Sequence, residues 1–246
     1  MARKDTTRRG ALTLLAATSL ATALPASRSR AQSKSVRSVD LHLALAVDAS
    51  GSVSQLRFDL QRRGYVDAFA NPRVLQAIRS GPQAAIAVSM YQWTGPGLQA
   101  LVMPWRLVDG EASIRAVASE IAAGPRRLFG GGTSVSGAID HGVALFGQSP
   151  FEGGRRVIDV SGDGANNRGR PSEVARDEAV ARGININGLP ILEVEPDLEE
   201  VYRNDVVGGP GAFVIAAETF EDFGKAILRK LILEIAAAPF EGIASA

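Results

Sequence analysis

Three short stretches of the chain set hydroxyl and carboxylate side chains among glycines. Asp48-Ala49-Ser50-Gly51-Ser52 places an acid and two hydroxyls at alternate positions, Gly130-Gly131-Gly132-Thr133-Ser134 places hydroxyls after a glycine run, and Ser161-Gly162-Asp163-Gly164 adds a second acid. Two carboxylates with three or more hydroxyls form an all-oxygen donor set, which suits a small hard cation such as Mg²⁺. Glycine beside them lets backbone approach closely. Nitrogen or sulfur donors are not needed, and the chain holds two His and no Cys. The side-chain oxygens of these three stretches are thus candidate donors to a cation.

Other chemistries fit these residues less well. Any one Ser, Thr or Asp can cap a helix, but capping does not require all three stretches. A glycine-rich loop entering a helix can hold phosphate, yet Gly130-Gly131-Gly132 lacks the G-K-[ST] ending of a P-loop and does not follow a strand directly. Asp159 to Gly164 opens like an EF-hand loop, but position twelve is Arg170 where Glu is required. His42 falls within an apolar run and reads as a packed histidine. His141 lies seven residues beyond Ser134 on one helix, about two turns away, and no G-x-S-x-G elbow is present. No catalytic residue is assigned, and a non-enzyme is expected.

The elements that must position these loops follow from hydrophobic periodicity. Leu41–Val47 is a continuous apolar run apart from His42, as in a strand buried on both faces. Helices are expected over 54–70 and 74–79, strands over 84–93 and 98–108 joined by Thr94-Gly95-Pro96-Gly97, and helices over 113–123 and 134–146. Pro104 assigns the second hairpin strand to a sheet edge. Strand 155–162, helix 171–182, strand 184–192, an acidic helix or loop over 195–206, a sixth strand over 212–217 and a helix over 220–235 complete the alternation. The expected fold is α/β, doubly wound, with a mostly parallel six-stranded sheet, one antiparallel edge strand and helices on both faces. Ligands gather at the carboxyl ends of the strands in such sheets, where all three polar loops fall. Tyr91, Trp93 and Trp105 read as hairpin and core packing, Asn166-Asn167-Arg168 as a turn, and the acidic run Glu193–Glu200 as a solvated face.

With element order and motif order in agreement, the chain resembles a von Willebrand factor A domain carrying a metal-ion-dependent adhesion site. The stretches VIDVSGDGANNRGRP, ININGLPIL and VVGGPGAFVIA are similar, more narrowly, to a family of exported bacterial proteins of unknown function related to those domains. The resemblance implies that Ser50, Ser52 and Thr133 ligate Mg²⁺ or Mn²⁺ directly while Asp48 and Asp163 hold it mostly through water. Neutral ligands would leave the cation electrophilic, so that a partner's Asp or Glu completes its coordination. The expected function is an exported, metal-dependent protein-binding module. A hydrolase or nucleotide-binding enzyme using the same cleft, and a structural envelope protein pinned by its metal, are the alternatives.

Charge is distributed unevenly. The 246 residues carry 27 Lys+Arg against 26 Asp+Glu. Six of the basic residues and only Asp5 among the acidic ones fall in residues 1–31, around an uncharged stretch from Gly10 to Leu24 that is followed by Pro25 and Ser29-Arg30-Ala31. This is the layout of a secretory signal, cleaved after Ala31 or Ala26. Arg8-Arg9 resembles a twin-arginine signal, and a general secretory signal is the alternative. Residues 32–246, the expected A-type domain, then hold 21 basic and 25 acidic residues. That balance points away from nucleic acid as a partner. A periplasmic or secreted location, with no membrane span in the mature chain, is expected. Without cysteines its stability has to come from a packed core.

Overall fold

A computed structural model describes residues 36–236; the expected leader, 1–31, lies outside the described residues. Strand β1, Leu41–Asp48, is buried along its whole length. Its odd positions Leu41, Leu43, Leu45 and Val47 join one apolar cluster, and the small Ala44 and Ala46 join another on the opposite face. One strand therefore divides the core in two, as its unbroken apolar run requires.

Ser54 caps helix α1, Gln55–Ala70, by accepting the N–H of Arg57. Asn71 ends α1 and caps α2, Pro72–Arg79, in which proline occupies the first turn where its missing N–H costs nothing. Strands β2, Ile86–Trp93, and β3, Gln99–Val108, form the hairpin. Helices α3, Glu111–Ala123, and α4, Val135–Phe146, lead to β4, Arg155–Gly162. Helix α5, Ser172–Ala181, is followed by β5, Ile184–Pro190. A short helix α6, Leu198–Val201, runs into a π turn at Tyr202–Val206, and α7, Phe223–Ala236, comes last.

The sheet order is β3-β2-β1-β4-β5, all parallel except β2 with β3. The chain winds from β1 to β2 on one side and later returns to β4 on the other. Helices α1, α3 and α7 supply Phe58, Tyr65, Phe69, Ile114, Ile121, Phe223 and Ile227 to the first cluster, while α4 and α5 supply Ala138, Ile139, Leu145, Ala175 and Ala179 to the second. Gly142 lets α4 close on the sheet, since a Cβ there would stand 2.7 Å from Ile158 and 2.8 Å from the Tyr91 hydroxyl. Pro104 sits in β3, which pairs only with β2, so its absent N–H breaks no ladder.

Among the described residues the sheet has five strands and not the expected six. Residues 212–217 run beside β5 but make only isolated bridges, Gly188 with Val214 and Ile191 with Ala217. Gly188 N–H donates to Phe213 and Leu192 N–H donates to Ala217. The residue midway between them is Pro190, which has no N–H to continue the ladder.

Candidate metal centre

Asp48 is the last residue of β1, flanked by Trp93 of β2 and by the end of β4, at the point where the winding order reverses. Such a reversal leaves a crevice at the carboxyl edge of the sheet. The Asp48 Oδ1 atom accepts the N–H of Ser50 at 2.7 Å, which turns the chain sharply. Ser50 Oγ lies 3.2 Å from Ser52 Oγ, and Ser52 donates to Asp163 Oδ1 at 2.6 Å. The N–H of Asp163 returns to Asp48 Oδ2 at 3.3 Å. Four of the five candidate residues, separated by up to 115 positions, thus close one hydrogen-bonded ring.

Thr133, the fifth, makes no hydrogen bond to this ring among the described residues and is held by the loop after β4. Its N–H donates to Asn167 Oδ1 at 2.9 Å, its carbonyl accepts from the N–H groups of Asn167 and Arg168, and its methyl group faces Gly164. The preceding Gly130, Gly131 and Gly132 have φ of 78°, 101° and 88°, a left-handed run that only glycine sustains without strain. Gly95 must also lack a side chain, because a Cβ would stand 2.1 Å from the Gly131 carbonyl oxygen. Ser134 N–H donates to the Thr94 carbonyl, and Ser134 Oγ caps α4.

The electrostatics are those of a site short of positive charge. Burial pushes the Asp48 carboxyl up to about 7, the nearby Asp163 charge adds to this, and the Ser50 and Asp163 donors oppose it. Burial likewise raises Asp163, against the pull of the Ser52 hydrogen bond and the Arg57 guanidinium. Asp163 Oδ2 is buried without a hydrogen-bond partner. Two desolvated acids, an orphaned carboxylate oxygen and a ring of hydroxyls fit a divalent cation with oxygen ligands, because the cation would offset both the desolvation and the mutual repulsion.

Supporting residues were invisible to motif reasoning. Gln61 is fully buried in α1 and donates to the Asp48 carbonyl at 3.2 Å. Arg126 donates to the carbonyls of Ala49 and Ser50, and Arg57 donates to that of Ser52. Tyr202 is buried with its hydroxyl against the Gly162 position. A buried Gln on an otherwise amphipathic helix is recognisable only once its contacts are known. The Asn166-Asn167-Arg168 turn does more than reverse the chain, since both asparagines accept backbone N–H groups around Thr133 and Ser136. Glu195, from the acidic run, accepts the N–H of Ala165.

His42 stacks edge-on against Trp105 and bonds the Phe151 carbonyl, and His141 packs on the Tyr91 ring. Among the described residues neither has a Ser or Asp partner of the kind a nucleophilic triad requires. Trp93 and Tyr91 are fully buried, as core packing requires. Among the described residues no helix is long and apolar enough to cross a membrane.

The fold is similar to that of von Willebrand factor A domains. Proximal thread matrix protein 1 of the mussel byssus is 15% identical with a TM-score of 0.59, over 82% of this chain and 49% of that one. A von Willebrand factor type A protein from Catenulispora acidiphila is 14% identical with a TM-score of 0.56, over 81% of this chain and 43% of that one. The pilus adhesin SpaC from Lactobacillus rhamnosus GG is 15% identical with a TM-score of 0.57, over 82% and 31% respectively. The chain therefore spans half or less of the length of these proteins. Residues 38–239 match the family described as Protein of unknown function (DUF1194), and the chain belongs to that family. No curated protein sequence matches it at a significant level.

Proposed function

We propose that this protein is an exported, non-enzymatic binding module that captures an acidic side chain of a partner protein at a divalent cation. The observation that carries this reading is the closed ring of Asp48, Ser50, Ser52 and Asp163, in which Asp163 Oδ2 is buried without a hydrogen-bond partner. Ser50, Ser52 and Thr133 would hold the cation through hydroxyl oxygens, and Asp48 and Asp163 would balance its charge. The bound Mg²⁺ or Mn²⁺ would supply Lewis acidity toward an incoming carboxylate. Around it the protein holds the hydroxyls in register through Arg57, Gln61 and Arg126, which fix the backbone of the 48–52 loop.

Two neighbours support this reading. One structure of the mussel matrix protein has a zinc-occupied MIDAS motif, and SpaC is a pilus adhesin. Export rests on the leader in residues 1–31, with a periplasmic or secreted destination. Titration calorimetry with Mg²⁺ and Mn²⁺ on the wild type and on Asp48→Ala/Ser50→Ala tests the metal. Saturable binding by the wild type alone is expected, and the same heat from both proteins refutes it. Pull-down from envelope extract, with and without chelator, tests partner capture. A partner list unchanged by chelation would leave the metal a purely structural role.

A further inference from the structure

The carboxyl edge of the sheet is polar at its centre and apolar at its rim. Asp48 and Asp163 are fully buried and Thr133 is 7% exposed, whereas Phe129 and Leu56 are 70% and 68% exposed. Leu98 and Val194 are exposed as well. These four are half of the large apolar side chains exposed among the described residues, and each is anchored to a site loop. Gly130, next to Phe129, lies against Gly51. Leu56 sits one turn beyond Ser52, beside Arg57, whose guanidinium bonds the Ser52 carbonyl. Leu98 packs on Gly131. Val194 stands between Glu193, which pairs with Arg57, and Glu195, which bonds Ala165.

The same rim carries two arginines with no acidic partner among the described residues, beside Glu193 and Glu195, whose oxygens are engaged by Arg57 and the Ala165 N–H. The Arg126 guanidinium lies 4.7 Å from the Phe129 ring centroid while donating to the Ala49 and Ser50 carbonyls, so it holds the ring beside the centre. Arg168 is exposed and lies across Gly132. Neither arginine forms an ion pair among the described residues. Large apolar side chains clustered around a recessed polar centre mark a recognition surface. A sunken centre has to be reached by a protruding group, which a side chain on a protein segment provides and a flat surface does not.

We propose that this face takes a protein segment in which one Asp or Glu is flanked on both sides by bulky apolar residues. The acid enters the metal centre, and its neighbours cover Phe129 and Leu56. This inference rests on the metal reading above and adds the identity of the flanking residues. Fluorescence anisotropy of the labelled peptides Gly-Phe-Glu-Leu-Gly, Gly-Ser-Glu-Ser-Gly and Gly-Phe-Gln-Leu-Gly in saturating Mg²⁺ tests it, with Mg²⁺ uptake measured separately by calorimetry. The Phe-Glu-Leu peptide is expected to bind at least about tenfold tighter than Ser-Glu-Ser, the scale of burying one large apolar side chain. The Gln peptide is expected not to bind. The variant Leu56→Ser/Phe129→Ser is expected to take up Mg²⁺ as the wild type does and to bind both Glu peptides alike.

Equal binding of the two Glu peptides by the wild type, no binding of either, or a preference that survives the double substitution overturns this inference while leaving Mg²⁺ uptake intact. Absent Mg²⁺ uptake refutes the metal reading instead. Cosedimentation with phosphatidylcholine and phosphatidylglycerol vesicles that is lost in the double variant would assign the rim to lipid and equally overturn it.

Discussion

Lys230 offers the sharpest test of the energetics, because it is an ammonium group with no access to water. Its Nζ lies 2.6 Å from Asp159 Oδ1 and 2.5 Å from Glu234 Oε1, and all three side chains are fully buried between α7 and β4. Asn187 donates to the same Glu234 oxygen. One cation thus serves two acids. Burial pushes the Asp159 carboxyl up to about 7, the Glu234 charge adds to this, and Lys230 opposes it. Replacing Lys230 with Met takes from the two buried acids the cation they share, which costs about 3–5 kcal/mol where both are ionised. At a urea slope of about 2 kcal/mol/M, the unfolding midpoint falls by about 2 M.

The sign with pH is fixed by the direction of the shift. A carboxyl whose folded pKa exceeds its unfolded value binds its proton more tightly when folded, so its stability contribution is complete below about pH 4 and is lost as pH rises to about 7. Without Lys230 the shift is larger and the loss extends to higher pH. The deficit of Lys230→Met relative to wild type is therefore expected to be small at pH 5 and full at pH 8, read from urea unfolding by circular dichroism. The double variant Lys230→Met/Glu234→Met removes one charge of each sign and is expected to regain at least half the deficit at pH 8. A deficit below about 1 kcal/mol at pH 8, or one equal at the two pH values, would refute the reasoning.

Chelated protein is expected to melt lower than protein in excess Mg²⁺, by an amount that grows with the logarithm of metal concentration, whereas Asp163→Asn shows no such dependence; differential scanning fluorimetry checks both. Gly131→Ala places a Cβ 2.6 Å from Leu98 Cδ1 at a left-handed φ of 101°, so a loss of about 2 kcal/mol in chemical denaturation is expected. Ser134→Ala removes the cap of α4 and is expected to cost about 1 kcal/mol in the same assay. Gly142→Val drives a branched side chain into Ile158 and Tyr91 and is expected to cost about 3 kcal/mol or prevent folding, seen as loss of the near-ultraviolet tryptophan signal.

Much of the architecture is written in local pattern. The apolar run Leu41–Val47 gives a strand buried on both faces, Ser54 and Asn71-Pro72 mark helix ends, and Pro104 marks the edge strand, because each signal acts within a few residues. The failed strand at 212–217 shows the limit of such signals. Its own composition suits a strand, but the missing N–H belongs to its neighbour Pro190, and which strand would be the neighbour is decided by the sheet.

The candidate site divides the same way. Residue type and spacing single out three oxygen-rich loops, since a hard cation asks for oxygen donors and close backbone, which are local chemistry, and the resemblance to von Willebrand factor A domains picks Asp48, Ser50, Ser52, Thr133 and Asp163 from them. Their convergence depends on β1 and β4 lying side by side, a pairing set by packing across more than a hundred residues. Desolvation of Asp48, the orphaned oxygen of Asp163 and the burial of Lys230 are likewise properties of the assembled core. The apolar rim of Phe129 and Leu56 belongs with them, because a large side chain reads as core in a sequence until the fold leaves it outside.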